Sequence, residues 1–450
     1  MSRIRIIITI IVVVLTTLLT GCTGKEPNEI AYVVALGIDS TDDDNYKITI
    51  QYANTTQISG GASESGGKAG SEIVDNVTIE APNIYAGVGL ANNIVSKSFS
   101  MSHAKLIVFS KEVAEKGVKD MIETLVRSEE IRPDVFIAVA NTTANDYLTS
   151  VNPEMEVNPA QYYQLIYQKN QLVGIPDGQL REFFTGLYTD NYDSILPVAG
   201  VIEGAGDNSQ NDDKGQSKDG QNEGSEGSSE SLDSFESKSS DDKDENEKEK
   251  DAEKNTSKYE YDIKNYVGGE TAIEKKNKAE AIGAAVFEKD KMVGELGEVE
   301  TEICKILKGD YTYSYLTYYN NDTPDIPITV KTTQQKKPKY KIDTDKKTVD
   351  IELYIESDLY SLPADYNVEN KIEDFERDVA NYTSSACTEF INNFTKKYNS
   401  DILKLNEKVK YKFLTNNQYN WFKKNVGWSE YKFSVCTNFK VRRTGLIVRE

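Results

Sequence analysis

The sequence predicts an α+β protein of two to three compact domains. Each is expected to hold a mixed or antiparallel sheet packed with helices, and a long acidic disordered linker divides the chain. Three observations carry this. Between residues 30 and 190, short runs with strand and helix periods alternate. From 203 to 262 the composition turns acidic and nearly free of apolar residues. After 263, hairpin patterns return and lead into a long helical seam. The expected boundaries are a leader at 1–21, an N-terminal region of one or two domains at 22–202, the linker at 203–262, and a C-terminal domain at 263–450.

The N-terminal region opens with the apolar run Ile30–Ile38 and Asp39, a turn at Asp42-Asp43-Asp44-Asn45, and the alternating Tyr46, Ile48, Ile50 and Tyr52. That is the pattern of a hairpin with one buried face. The acidic stretch Asp39–Asp44 lacks the glycine and later glutamate of a calcium loop, so it reads as a solvated turn. Residues 58–71 are Gly- and Ser-rich and read as a mobile loop. A helix is predicted over Asn83–Val95 and a strand over Leu106–Phe109. Ser110 then caps a helix reaching to about Arg127, with Val113, Val118, Met121, Ile122, Leu125 and Val126 on one face. Val135–Ala140 reads as a strand and Thr143–Leu148 as the start of a helix. Helical pieces follow at Tyr162–Tyr167 and Leu180–Leu187, with a turn at Gly174–Gly178.

Residues 203–258 contain 18 acidic residues against eight lysines. Ordering such a stretch costs about 1–2 kcal/mol per residue, and there is little apolar surface to offset it. Its excess charge should keep it extended. In the C-terminal domain, Ala279–Phe287 and Lys291–Leu296 flank the turn Glu288-Lys289-Asp290 as a hairpin. Val299–Leu307 is a short helix. A second hairpin joins Lys339–Ile342 to Thr348–Leu353. The longest helix is expected near 369–398, its seam made by Ile372, Phe375, Val379, Ala386, Phe390 and Phe394 and packed on a sheet of the same domain. Trp421 to Tyr431 reads as a connection. Phe433, Val435, Thr437 and Phe439 alternate as a strand, and Gly445–Val448 closes the chain.

The leader fixes the location. Ser2-Arg3-Ile4-Arg5 is basic, Ile6–Leu19 is almost unbroken apolar, and Leu19-Thr20-Gly21 places small residues before Cys22. A spanning helix needs about 20 apolar residues, and this run is shorter. The order is that of a bacterial secretory signal with a lipidation site. The mature chain is expected to begin at Cys22, acylated and tethered outside a cytoplasmic membrane. An uncleaved membrane helix would keep the same location.

The formal net charge of −21 makes nucleic acid an improbable partner. Acylation of Cys22 would leave Cys304, Cys387 and Cys436, widely spaced and without a Cys-x-x-Cys pair, so each is expected to be a small buried apolar residue. The chain has one histidine, His103, and no Gly-x-Ser-x-Gly elbow. His103 precedes a strand and reads as a capping or buried hydrogen-bonding residue. Gly87-Val88-Gly89 lacks the third glycine of a dinucleotide fingerprint and reads as close helix packing. No catalytic, metal or cofactor site emerges, so the chemistry favours a binding or assembly module.

Several segments resemble the Ger(x)C family, the lipoprotein C subunits of spore germinant receptors. They are Val34-Ala35-Leu36-Gly37-Ile38-Asp39, Tyr46-Lys47-Ile48-Thr49-Ile50-Gln51, His103-Ala104-Lys105, Ala114-Glu115-Lys116-Gly117 and Leu125-Val126-Arg127-Ser128-Glu129-Glu130-Ile131-Arg132. In the second half they are Gly283 through Gly294, with the turn Lys289-Asp290-Lys291, then Glu300-Thr301 and Val441-Arg442-Arg443-Thr444-Gly445-Leu446-Ile447. The chain departs from the family in four places, one of them the unusually long acidic insertion at 203–258. Ser128 replaces an acid, Glu295 replaces a Trp, and Cys22-Thr23-Gly24 replaces Cys-Trp-Asp. The resemblance implies about three compact α+β domains and no enzymatic activity. It also implies the outer face of the spore inner membrane, beside membrane-embedded A and B subunits, in a complex that senses nutrients and starts germination. An extracytoplasmic solute-binding lipoprotein of a transporter is the alternative, and it predicts a deep cleft. A cell-wall hydrolase, expected to show no turnover on peptidoglycan, is the third.

Overall fold

The computed structural model describes residues 3–7, 9, 29–53, 74–152, 156, 158–168, 174–189, 191–202, 265–271, 277–320, 323–361, 371–398 and 400–444. Cys22 and most of the leader, the loop at 58–71, the linker at 203–262 and the closing Gly445–Val448 lie outside them.

The first sheet begins with β1 (Ile30–Ser40) and β2 (Tyr46–Ala53), antiparallel as the alternation requires. β3 (Val74–Ala81) adds to β2, and α1 (Ile84–Ala91) follows, capped by Asn83. β4 (Ser98–Ser100) and β5 (Leu106–Ser110) both run parallel to β1. Ser110 accepts from Val113 N–H and caps α2 (Lys111–Lys116). The single helix expected here is two, because Gly117 turns the backbone at φ 119° before α3 (Lys119–Val126). β6 (Phe136–Ala140), α4 (Ala144–Ser150), α5 (Pro159–Gln168), α6 (Leu180–Thr189) and β7 (Ile195–Val201) complete the N-terminal half.

The hairpin β8 (Ala279–Glu288) and β9 (Lys291–Leu296) differs from its expected place. The sequence predicts it as the start of the C-terminal domain, yet β8 pairs antiparallel with β7, and the sheet runs β3-β2-β1-β5-β6-β7-β8-β9. The physical reason is the free edge of β7, which these two strands cover. One face of this sheet packs on α1, α2, α3 and α6 through Leu36, Ile107, Val113, Ile122, Phe183 and Phe287. The other packs on α4 and α5 through Val34, Val108, Tyr147, Leu148 and Tyr163. On that face Tyr147 and Tyr167 hydroxyls meet at 2.9 Å. Tyr163 donates to Gln51 at 2.5 Å, and Gln51 donates to Leu148 O at 2.9 Å.

The second sheet follows α7 (Glu298–Lys308). It holds β10 (Tyr313–Asn320), β11 (Thr323–Gln334), β12 (Lys339–Asp343) and β13 (Thr348–Ser361) in the order β10-β11-β13-β12. After α8 (Ile372–Lys397), α9 (Leu405–Val409) and α10 (Asn416–Asn425), the last strand among the described residues is β14 (Lys432–Arg443), parallel to β13. The region read as a connection thus contains much of a helix.

α8 explains how this sheet is closed. Phe375, Val379, Thr383, Cys387, Ile391 and Phe394 are its buried stripe; Cys387 takes the place expected of Ala386, which is half-buried. Beside that stripe runs a polar row. Asn392 donates to Phe433 O at 3.0 Å and accepts from its N–H at 3.1 Å. Thr388 accepts from Val435 N–H at 3.0 Å, Ser384 from Thr437 N–H at 2.9 Å, and Glu376 from Val441 N–H at 2.9 Å. The four-residue spacing on the helix keeps these groups on one line, so they serve the outward backbone groups of the edge strand.

Candidate functional site

The motifs that set this sequence apart fall at joints between layers. In the first, Gly37 and Asp39 seat α4 on β1. A side chain at Gly37 would meet Leu148 at 3.0 Å and Ala144 at 3.1 Å. Asp39, 5% exposed, accepts from Ala144 N–H at 2.6 Å and Asn145 N–H at 3.1 Å. Its carboxylate therefore caps the helix and sits at the positive end of its dipole. Burial raises its pKa, against the lowering effect of the two backbone donors. The solvated turn expected over Asp39–Asp44 is shorter: Asp42, Asp43 and Asp44 are exposed, but Asp39 is the last but one residue of β1 and is buried where the α4 backbone donors reach it.

The other joints are similar. Val118 N–H donates to Asp290 O at 3.0 Å, and a side chain at Gly117 would lie 2.7 Å from the Asp290 carboxylate. The motif around Gly117 in the first half thus meets the Lys289-Asp290-Lys291 turn from the second. Gly283 adopts φ 84°, donates to Gly174 O at 2.7 Å, and has no room for a Cβ against Leu296 O. Ser128 accepts from Glu130 and Ile131 N–H, both at 3.2 Å, closing the turn. Glu130 accepts from Met101 N–H at 2.7 Å, and Glu300 reaches back to Gly297 N–H at 3.0 Å at the start of α7. Glu295 pairs with Lys111 at 3.0 Å.

Two concavities lie near these joints. The larger, about 350 Å³, opens at the C-terminal ends of β1, β5 and β6, the usual place for a ligand in parallel sheets. Of its polar side chains, Asp39, Ser110, Asn141 and Thr143 are committed to backbone groups of the chain, and Lys111 and Glu112 pair with Glu295 and Lys116. The smaller, about 10 Å³, has room for a water and lies between α6 and the second half. There Lys404 pairs with Glu182 at 2.6 Å and lies 4.2 Å from the centroid of the Tyr192 ring. Burial acts to raise the Glu182 pKa, but Lys308 and Lys404 outweigh it and hold the group below its usual range. Close by, Asp193 accepts from Lys289 N–H and Asp401 N–H, both at 2.8 Å. Asp401 accepts from Leu405 and Asn406 N–H, both at 2.8 Å. These bonds tie the two sheets together.

His103 is exposed, not buried. It hydrogen-bonds Ser102 at 3.0 Å and meets the Tyr32 ring edge-on at 4.7 Å. Cys304 and Cys387 are buried as expected, whereas Cys436 is exposed because it falls on the outward phase of β14. Among the described residues, no group of three or more His, Cys, Asp and Glu side chains is placed to hold a metal, and no helix is long and apolar enough to cross a membrane.

The sharpest test of the first joint is Asp39→Ala. It should lower the unfolding free energy by about 2 kcal/mol, the sum of a lost helix cap and a buried donor left unpaired. The measurement is urea denaturation, with the far-ultraviolet circular dichroism of the folded variant unchanged.

These features define a two-sheet α+β body whose conspicuous motifs hold its layers together. Comparison with known families names it. Residues 24–201 match the spore germination protein N-terminal domain, and residues 282–445 match the spore germination B3/GerAC-like C-terminal domain. The chain belongs to this family of germinant receptor C subunits, and the family has a role in spore germination. Spore germination protein KC of Bacillus subtilis is 26% identical over 176 residues, covering 36% of this chain and 43% of that protein. Spore germination protein B3 of Bacillus subtilis is 26% identical over 148 residues, 31% of this chain and 36% of that protein. The chain thus spans less than half the length of these relatives. The crystal structure of the GerBC protein aligns at 15% identity over 90% of this chain and 96% of that chain, with a TM-score of 0.48.

Proposed function

We propose that the chain is a lipid-anchored, non-enzymatic accessory subunit of a nutrient germinant receptor. The observation that carries this is family membership joined to the order of the leader: basic, apolar, small, then Cys22. In this reading residues 1–21 are removed, Cys22 takes the lipid, and residues 203–262 form an acidic linker within the receptor body. The protein stands on the extracytoplasmic face of the spore inner membrane or cell membrane, beside the membrane-embedded A and B subunits. Two acyl chains hold it there stably, where one alone would be marginal. The anchor raises its effective concentration near those subunits. The body's role is to bind neighbours, which agrees with motifs devoted to internal joints.

The test is Cys22→Ala in a sporulating host lacking other receptors of this type. The variant should incorporate no labelled fatty acid, leave the membrane fraction, and abolish most of the spores' response to at least one nutrient. Spores that respond normally to every nutrient would refute the reading.

A further inference from the structure

The turn before α10 and the helix itself carry the two most exposed large apolar side chains among the described residues, Leu414 at 95% and Tyr411 at 78%, together with Trp421 at 69%. Leu414 precedes the cap residue Thr415, a position from which an apolar side chain ordinarily folds back onto the helix. Phe413 takes that seat instead, its ring 5.9 Å from Tyr419 and 4.9 Å from Phe422. Packing of the segment therefore rests on Phe413 and leaves Leu414 to the solvent.

The charge of the segment is as unusual as its exposure. Between Glu407 and Glu430 run five lysines and no acid, in a chain with 73 acidic residues. Lys410, Lys412 and Lys424 are exposed among the apolar side chains. Exposed Trp, Tyr and Leu interleaved with lysine is the composition of a surface that enters the headgroup layer of a bilayer: the rings and Leu reach the acyl boundary while ammonium groups meet phosphates. Protein interfaces have the opposite character, with apolar anchors gathered in a dry centre that is depleted in lysine.

The geometry points to a second membrane contact: Tyr411, Leu414 and Trp421, with Lys410 and Lys424, rest on an anionic phospholipid surface. The inference rests on the membrane location proposed above. The body as a whole is acidic and is repelled by an anionic leaflet, so this basic, apolar patch selects the orientation in which the body lies against the bilayer. Acylation supplies attachment; the patch supplies the pose.

The chain has two tryptophans, and Trp428 is 7% exposed, so Trp421 reports on the surface. The full acylated chain is reconstituted into vesicles of phosphatidylcholine with or without phosphatidylglycerol, with brominated acyl chains as quencher. On anionic vesicles the Trp421 emission should shift to the blue and be quenched, and Trp421→Phe should abolish both effects. Lys410→Gln and Lys424→Gln should each weaken the contact roughly fivefold, the factor that corresponds to one lysine near an anionic surface. Flotation with the vesicles without quenching, or equal quenching on phosphatidylcholine alone, overturns the inference while leaving the anchor intact. So does shielding of Trp421 that appears only when other receptor subunits are added. A chain without an acyl group by intact mass defeats the anchor reading instead; quenching by added anionic vesicles then still supports the patch, and its absence still overturns it.

Discussion

Replacing Ser384, Thr388 and Asn392 by alanine together should destabilise the protein by about 2.5 kcal/mol and make it self-associate. The three side chains make four hydrogen bonds to the outer backbone of β14. Each bond contributes roughly 0.5–1.5 kcal/mol net, and an alanine row on α8 returns about 0.5 kcal/mol of helix propensity per site. Loss of the bonds wins. The apolar stripe of Phe375, Val379, Cys387 and Phe394 is untouched, so the helix stays docked while the strand beneath it is left with unpaired groups. An unpaired edge is a template for another strand. Urea unfolding and light scattering during refolding test the two halves of the expectation. A variant as stable and as monodisperse as the parent would show that solvent satisfies the strand as well as the helix does.

Asp401→Asn should remove a pH dependence of stability. Burial pushes the Asp401 carboxyl up to about 7, against the lowering effect of its two backbone donors, and Asp193 adds to the rise while Lys408 opposes it. The folded-state pKa thus lies above the ordinary 3.8. In the window between these values the native state retains a proton that the unfolded state has released. The contribution to stability is therefore complete below about pH 4 and is lost as pH rises towards 7, reaching at most about 4 kcal/mol at 1.4 kcal/mol per unit. Other acids titrate in the same range, so the difference between the parent and Asp401→Asn is the quantity to measure. That difference should slope through the window and flatten above it. A constant offset at every pH would mean that Asp401 stays ionised throughout and acts only as the cap of α9.

Much of the fold is legible in the sequence. β2, α7 and α8 show apolar spacing at a strand or helix period, while β1, β5 and β6, buried on both faces of the sheet, show short continuous apolar runs. β3 does not, because in Val74–Ala81 only the two end residues are buried. β7 carries Pro197, which argues against a strand, yet Pro197 sits where the register with β8 shifts and pairing is relaxed. The break at Gly117 depends on Asp290, a residue 173 positions away. The same distance hides the joints. Asp39 and Ala144 are 105 residues apart, Asp193 and Asp401 are 208 apart, and local pattern says nothing of either bond. The motifs that carry the family resemblance mark these joints without disclosing what they join. The membrane patch was half legible: the lysines and aromatic residues stand in the sequence, but only the structure shows that Phe413 is tucked in and Leu414 is left out.

The pairing of β7 with β8 has a practical meaning. Ile202 N–H donates to Lys278 O at 2.9 Å, so the body releases the chain and takes it back at neighbouring points. Residues 265–271 on the returning side bond the body, Gly268 N–H to Ile282 O at 3.0 Å and Glu298 N–H to Tyr266 O at 2.8 Å, so they are kept. A fluorescent domain with adjacent termini, grafted between Glu203 and Lys264, gives a visible reporter without altering either end of the polypeptide.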